Sequence, residues 1–233
     1  MKFILGRKIG MSQMFDESGK VVPLTLVEAG PCPVVQVKTD EQDGYSATQV
    51  AFGNIKDKKT KKPQRGHFKK ARLKKNYRYL KEFKGVGVKV GDILTVAIFT
   101  KGDSVKISGI SKGKGFQGVV KRHGFKGAPA SHGTKHNLRA PGSIGTSFPE
   151  RVWKGRRMGG RMGSDRVTIL GKLKIVEIDS ENNLLAIRGA VPGRKGTLLE
   201  LIGEGEIILN KKIEGAKDLL VEDKKIENKD QVS

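Results

Sequence analysis

The sequence predicts a mainly β protein whose body is interrupted by a long, largely irregular central segment. Short runs of β-branched residues bounded by Gly and Pro recur on both sides of the centre, which is typical of strands. Residues 101–166 contain 15 Lys and Arg but only three acids, together with 14 of the 31 glycines. Because almost no apolar run lies in that segment, it cannot offset its ordering entropy with a core of its own.

Four runs in the first half of the chain predict strands of the body. They are residues 21–27 (VVPLTLV), 33–38 (PVVQVK), 47–53 (ATQVAFG) and 92–100 (DILTVAIFT). Each run is short and apolar, and Gly, Pro or Asp residues lie at its ends. Both ends of the chain therefore contribute to the β body once the second half is included.

The second half contains the clearest hairpin. Residues 167–178 (VTILGKLKIVEI) alternate between apolar and polar side chains, turn through 179–183 and return as 184–188. A turn-rich connection at 190–196 leads to a further strand at 197–202 (TLLELI). Six or seven short strands joined by polar turns predict a barrel or a sandwich.

Residues 56–89 form a second strongly basic segment, with 15 Lys and Arg against two acids. Within it, Leu73, Tyr77 and Leu80 have the i, i+4, i+7 spacing that predicts a small helix over residues 67–83. The other faces of that helix are basic and suit phosphate. The candidate RNA-binding side chains of this segment are Lys69, Lys70, Arg72, Lys74 and Lys75.

Positive charge is confined to these two segments. Residues 56–89 carry +13 and residues 101–166 carry +12, which total +25 against +22 for the whole chain, so the other 133 residues net −3. Two adjacent cationic segments repel each other unless a counter-charge is bound, which indicates a polyanionic partner. Aromatic side chains that can stack on bases favour nucleic acid. In the central segment these are Phe116, Phe125, Phe148 and Trp153.

Motifs that would indicate a cofactor or a metal are incomplete. Residues 113–118 (GKGFQG) match the dinucleotide-binding fingerprint, but no βαβ pattern surrounds them and no acid follows until Glu150. His132 and His136 have the i, i+4 spacing of a zinc site, yet no Cys or Glu accompanies them. We therefore expect no cofactor and no metal, and interpret both histidines as donors to phosphate or to backbone carbonyls.

The sequence contains no complete set of catalytic residues either. Cys32 lies between two prolines beside a predicted strand, where a small buried thiol is expected. Ser131 precedes His132 without an acid nearby to orient the imidazole. Glu150 and Asp165 are a weak pair for a metal-dependent nuclease. We expect no enzymatic activity; an enzyme acting on RNA and a free nucleic-acid chaperone are the alternatives.

The single cysteine and the N-terminus predict the compartment. One cysteine permits no disulfide within the chain, which suits a reducing environment. The apolar stretch at residues 3–5 is too short for a secretory signal, and no stretch approaches the length of a membrane span. We expect a cytoplasmic protein with neither a membrane nor a small-molecule substrate as partner.

Five blocks together resemble the universal large-subunit ribosomal protein L three family, bacterial type. They are GRKIGMSQMF at 6–15, KGFQGVVKRHGF at 114–125, SHGTKHNLRAPGSIG at 131–145, RMGGRMGSDRVT at 157–168 and NLLAIRGAVPGRKG at 183–196. The blocks occur in the family's order and spacing, and the resemblance covers roughly residues 1–203. No single block would be specific, whereas the combination is.

The resemblance implies a fold, a function and partners. It implies a translation-protein-type β-barrel body with a long central extension that penetrates large-subunit ribosomal RNA. The tip of that extension, near residues 139–153 here, is expected to approach the peptidyl transferase centre. The family is structural and non-catalytic and acts early in large-subunit assembly. Its expected protein neighbours are the L fourteen and L nineteen proteins.

The expected organisation has four parts. Residues 1–111 form the first part of the body, including the basic helical segment 56–89, and residues 167–203 form the remainder. Residues 112–166 form the RNA-binding extension, and 204–233 form an acidic, flexible tail. The residues that match the family's RNA-contacting blocks are His132, His136, Arg139, Trp153, Arg156, Arg157 and Arg161. The other candidate RNA-binding residues of the extension are Lys112, Lys114, Lys121, Arg122, His123, Lys126, Lys135, Arg151 and Lys154.

The sequence departs from the family pattern in two places. Thr146, Ser147 and Phe148 follow Gly145 where many bacterial members have a glutamine that becomes methylated, so we expect no such modification. The tail continues some thirty residues past the family's usual end. We expect its acids to keep it away from RNA, and we expect the extension to become ordered only when RNA binds.

Overall fold

The computed structural model describes residues 1–84 and 87–207. The chain divides into two units. The body unit consists of residues 1–109 together with the chain from Thr168 onward, and the extension unit consists of Ile110–Val167. Most of the predicted acidic tail, from residue 208, lies outside the described residues.

Twelve strands and three short α-helices make up the described part of the chain. The strands are β1 (Lys2–Phe15), β2 (Val21–Ala29), β3 (Cys32–Lys38), β4 (Ala47–Ile55), β5 (Asn76–Phe83), β6 (Ile93–Leu94), β7 (Ser104–Ile110), β8 (Phe116–Gln117), β9 (Gly160–Arg161), β10 (Arg166–Asp179), β11 (Leu184–Arg188) and β12 (Leu198–Gly203). The helices are α1 (Asp40–Asp43), α2 (Lys62–Lys70) and α3 (Val119–His123). The predicted mainly β class is confirmed.

Six strands of the body close into a barrel in the order β1-β12-β7-β10-β11-β2. The first half of β1 pairs antiparallel with β12, and the rest of β1 pairs antiparallel with β2. Gly6 lies where β1 passes from one partner to the other. A Cβ at Gly6 would lie 2.7 Å from Val27 Cγ1 and 2.9 Å from the Glu28 carbonyl oxygen, so no larger residue fits there.

A second sheet, in the order β5-β4-β3-β6, shares its core with the barrel. The rings of Phe3, from β1, and Phe83, from β5, stack with centroids 4.8 Å apart. Leu5, Ile107 and Leu201 are fully buried in the same cluster. Burial of this many apolar side chains stabilises the body unit.

The predicted helix over residues 67–83 is helical only in its first four residues, and the rest of it is wrong. Helix α2 begins earlier, with Pro63 in its first turn, and ends at Lys70; residues 71–75 form a turn, and β5 follows. Tyr77 and Phe83 are buried on this strand, and the backbone of β5 pairs antiparallel with β4. Aromatic residues favour a strand where a neighbouring strand supplies hydrogen bonds. Because β4 supplies them, residues 76–83 form a strand although the spacing of their apolar residues is helical.

Other strands also differ from the prediction. Residues 92–100 contain only the two-residue β6 and a 3-10 turn at Val96–Ile98. Strands β1 and β7 were not predicted, because Gly, Lys and Ser interrupt their apolar alternation. Strands β2, β3, β4, β10, β11 and β12 lie where strands were predicted.

Candidate nucleic-acid interface

The extension unit runs out and back as two antiparallel arms. The Ser111 amide donates to the Asp165 carbonyl at 2.9 Å, and the Lys114 amide donates to the Met162 carbonyl at 2.9 Å. Beyond them β8 pairs with β9, so that Phe116 lies opposite Arg161. Backbone hydrogen bonds between the arms, rather than a shared core, therefore hold this part of the unit together.

Glycines allow these arms to approach each other. A Cβ at Gly163 would lie 2.2 Å from the Lys112 carbonyl oxygen, and one at Gly160 would lie 2.3 Å from Arg122 Nη1. Gly163 also has a φ of +78°, which L side chains rarely adopt. The sequence suggests that glycines bring the backbone close to RNA. Gly163 allows one arm of the chain to approach the backbone of the other, whereas Gly160 leaves room for the Arg122 side chain.

The apolar side chains of the extension unit lie on its outside. Between residues 110 and 167, all of which the structure describes, Val119 is the one buried apolar side chain. Phe148 is 87% exposed, Phe116 is 77% exposed and Trp153 is 59% exposed. Exposed aromatic rings among Lys and Arg are the chemistry of a surface that stacks on bases while it neutralises phosphates.

The structure places nearly every candidate RNA-binding residue at the surface. His123 is half-buried, and the other twenty are exposed. In the extension unit the exposed candidates are Lys112, Lys114, Lys121, Arg122, Lys126, His132, Lys135, His136, Arg139, Arg151, Trp153, Lys154, Arg156, Arg157 and Arg161. In the body unit they are Lys69, Lys70, Arg72, Lys74 and Lys75.

Some of the candidate side chains also form hydrogen bonds to the backbone of the extension unit. Arg122 Nη1 and His123 Nε2 both lie 3.0 Å from the Met158 carbonyl oxygen. Arg156 Nη2 donates to the Ser143 carbonyl oxygen. These three side chains therefore fix the path of the neighbouring backbone as well as presenting positive charge or a ring nitrogen. His132 adopts a φ of +59° and is exposed.

A cavity of about 670 Å³ lies within the extension unit between residues 125–128 and 137–142. Phe125, Lys126, Asn137 and Pro141 are among the residues that line it. The Ala128 amide donates to the Leu138 carbonyl at 3.2 Å and joins the two segments. Sequence reasoning did not single out Asn137, because one amide side chain has no pattern that could indicate a site.

The basic segment of the body unit is anchored by polar contacts. His67 Nε2, on α2, lies 2.7 Å from Gln49 Oε1, and Gln49 Nε2 donates to Glu82 Oε1 at 3.2 Å. Glu82 also receives Lys38 Nζ at 2.9 Å. The hydrogen bond from Lys38 lowers the Glu82 pKa below its ordinary value. Lys69 lies in the last turn of α2, where a cation interacts favourably with the helix dipole.

Residues that could carry other chemistry are buried or scattered. Burial raises the pKa of the Cys32 thiol to about 12, which keeps it protonated and unreactive at neutral pH. In residues 1–84 and 87–207, no group of three His, Cys, Asp or Glu side chains is placed to hold a metal ion. None of the helices in those residues is both long and apolar enough to cross a membrane.

Comparison with known proteins identifies the family. The model of the family described as Ribosomal protein L3 matches residues 89–189, which span the extension unit and parts of the body. A protein of Chloroherpeton thalassium named large ribosomal subunit protein uL3 is 52% identical to the chain over 206 residues. That alignment covers 87% of this chain and 99% of the relative. The chain belongs to the uL3 family.

Further uL3 proteins agree with that assignment. The uL3 protein of Carboxydothermus hydrogenoformans is 51% identical over 201 residues, covering 85% of this chain and 95% of the relative. The uL3 protein of Desulfitobacterium hafniense is 48% identical over 203 residues, covering 86% of this chain and 94% of the relative. The predicted membership of the family is confirmed, and the uL3 family is a family of ribosomal proteins.

Proposed function

We propose that this uL3 family member is a non-catalytic structural component of the large ribosomal subunit that binds large-subunit RNA directly. The observation that carries the proposal is the extension unit. Its 13 Lys and Arg stand against two acids, and its exposed aromatic rings have no apolar core to pack into. RNA phosphates neutralise the cations, while unpaired bases stack on the rings.

The extension unit and the basic segment of the body divide the binding between them. The arms, narrow because glycines bring them together, suit gaps between RNA helices that are too narrow for a domain. The exposed cations around α2 suit the backbone of a helix lying across the body surface. The candidate residues given above, from Lys69 to Arg161, are the proposed contacts.

The family resemblance supports four finer proposals. The protein acts early in the assembly of the large subunit. The tip of the extension, at residues 139–153, lies near the peptidyl transferase centre. The L fourteen and L nineteen proteins are its neighbours in the subunit, and its location is the cytoplasmic ribosome.

Sedimentation of a native lysate through sucrose gradients at low and raised salt tests the function. We expect one copy of the chain per large subunit at both salt concentrations, because many phosphate contacts act together in the assembled particle. Loss of the chain into the soluble fractions at raised salt would contradict the proposal and would favour a peripheral RNA chaperone.

We also propose that the extension unit becomes ordered only on RNA, since Val119 alone is buried within it. The amide signals of residues 112–166 in an NMR spectrum of the free protein test this. We expect them to be poorly dispersed, and to disperse when RNA is added. Well-dispersed signals without RNA would contradict the proposal.

A further inference from the structure

The body unit contains a cavity of its own, of about 420 Å³. Its walls come from β1, the end of β2, the β4–β5 pair and the loop between β11 and β12. None of the candidate residues from the sequence lines it. Its polar and aromatic lining includes Arg7, Glu28, Asn54, Arg78 and Tyr79, with Gly196 at the loop.

One wall of this body cavity combines a guanidinium group with an aromatic ring. The Cζ atom of Arg78 lies 5.3 Å from the ring centroid of Tyr79, in a cation–π contact. Gly53, on the neighbouring strand, has a φ of +75°, and a Cβ there would touch the Tyr79 ring at 3.5 Å. Tyr79 packs against the core, whereas Arg78 is exposed. A flat, cationic and partly rigid surface of this kind accepts a stacked base.

A second wall carries a paired arginine and carboxylate. Arg7 Nη2 and Nε donate to Glu28 Oε2 at 2.6 Å and 3.2 Å. Both bonds end on one carboxylate oxygen, so Oε1 of Glu28 receives no bond from Arg7. A carboxylate oxygen accepts from the exocyclic amino group of a base, and the exposed guanidinium suits a phosphate.

The loop between β11 and β12 contributes Gly196 to the cavity and carries two exposed cations next to it in sequence. Lys8 is buried, and its Nζ donates to the carbonyl oxygens of Val191 at 2.9 Å and Gly193 at 3.3 Å. The Gly196 amide donates to the Lys8 carbonyl at 2.7 Å. These bonds fasten the loop to β1. The exposed Arg194 and Lys195 directly precede Gly196 in the loop.

We propose that the body cavity binds a single unpaired RNA nucleotide. The base packs on Arg78 and Tyr79 with its amino group toward Glu28, and the flanking phosphates meet Arg7 and the loop cations. A cavity of this size suits one small flat group, and its cations outnumber its single carboxylate. The inference rests on the proposed function, because that function supplies RNA as the ligand. The residues that carry the inference all belong to the body unit.

Ultraviolet cross-linking of the full-length chain to a short RNA of mixed sequence tests the proposal, with adducts located by mass spectrometry. We expect a nucleotide adduct on the peptide that contains Tyr79. A blunt duplex of the same sequence is expected to give about tenfold less of this adduct, because its bases are not free to stack.

Variants at two separate strands sharpen the test. Arg78→Ser and Arg7→Gln are each expected to reduce the Tyr79 adduct about tenfold while adducts in the extension unit persist. Arg188→Ser is the matched control, because Arg188 is exposed in the body unit and does not line the cavity. Equal thermal midpoints for the variants and the control exclude unfolding as the cause.

The outcomes separate this inference from the proposed function. RNA binding with adducts only in residues 110–167 would overturn the proposal that the body cavity binds a nucleotide. The proposed function would be unaffected. An adduct that persists in both cavity variants, or forms equally with the duplex, would also overturn it. Absence of any RNA binding would overturn both proposals.

Discussion

The body unit and the extension unit hold their shapes by different means. In the body, fully buried side chains such as Leu5, Ile107 and Leu201 fill a core shared by the barrel and the second sheet. In the extension, backbone hydrogen bonds join two arms, and Phe116 and Phe148 lie in solvent. The body is therefore stabilised by its own core, whereas the extension exposes its apolar side chains.

Matched core truncations give the largest expected difference between the units. Leu201→Ala in the body is expected to lower the free energy of unfolding by about 2–5 kcal/mol, because it leaves a cavity in a closed core. Val119→Ala in the extension is expected to leave the unfolding transition of the body unchanged. Urea denaturation followed by far-ultraviolet circular dichroism measures both. Equal losses would mean that the two units unfold as one.

Removing charge from the extension is expected to reduce the salt dependence of RNA binding. Replacing Arg156, Arg157 and Arg161 by Gln is expected to reduce the slope of log K against log salt by about 2–3, since each neutralised phosphate contributes roughly 0.7–0.9. RNA binding measured by fluorescence anisotropy over a salt series gives the slope.

A control for that triple variant comes from the body unit. Lys20, Lys174 and Arg188 are exposed and lie outside both basic segments. Their replacement by Gln removes the same charge from the chain and is expected to leave the slope nearly unchanged. If both triple variants reduce the slope equally, net charge rather than the extension determines RNA binding.

Two glycines test whether the extension needs a residue without a side chain because its backbone segments are close together, or only because the φ angle is positive. Gly127 and Gly133 have φ values of +75° and +81°. A Cβ at Gly127 would lie 2.1 Å from the Leu138 carbonyl oxygen, whereas nothing lies within 4 Å at Gly133. Gly127→Ala is therefore expected to break the hydrogen bond from the Ala128 amide to Leu138, at a local cost of roughly 1–3 kcal/mol.

Hydrogen exchange of the Ala128 amide in the RNA-bound protein measures that effect. Faster exchange is expected in Gly127→Ala, and little change is expected in Gly133→Ala. Similar exchange in the two variants would show that the positive φ, which they share, is what matters.

The smallest expected effect is a pH dependence in the body unit. Burial alone would raise the pKa of Asp103, but hydrogen bonds from Lys2, at 2.8 Å, and from Thr100 outweigh it and lower the pKa. A carboxyl group with a lowered folded-state pKa stabilises the fold above its unfolded-state pKa, and this contribution is lost as the pH falls through the folded-state value. Asp103→Asn is therefore expected to be less stable than the parent at neutral pH.

The difference between Asp103→Asn and the parent is expected to shrink as the pH falls below the ordinary aspartate value of 3.8. Because the ion pair is partly exposed, the effect at neutral pH is expected to be modest. Thermal midpoints measured between pH 3 and pH 7 test this. A constant difference across that range would mean that the carboxyl charge does not contribute.

Local patterns predicted the strands whose apolar alternation is unbroken. The hairpin of β10 and β11 lies where residues 167–188 predicted it, because each strand has a repeating apolar face. Strand β5 was predicted as a helix, because its hydrogen-bonding partner β4 lies more than twenty residues earlier and spacing alone does not contain that information. Strand β1 was missed because Gly and Lys interrupt its apolar alternation, and its two halves form on two different partner strands.

For the candidate site, too, the sequence predicted some features and not others. Charge density and interleaved aromatic residues in the central segment were sufficient to indicate RNA, because composition alone determines whether a segment can form a core. Contacts between distant residues were not predictable. Gly163 meets Lys112 across the two arms, and Arg7 lines one cavity with Arg78.

By itself, the sequence determined the mainly β class, the regional positive charge and the family, and it led to the proposal of a polyanionic partner. These depend on composition and short-range pattern. Only the tertiary structure decided the order of strands in the barrel, the antiparallel path of the arms and the body cavity. These depend on which distant backbone groups find hydrogen-bonding partners and which side chains they bring together.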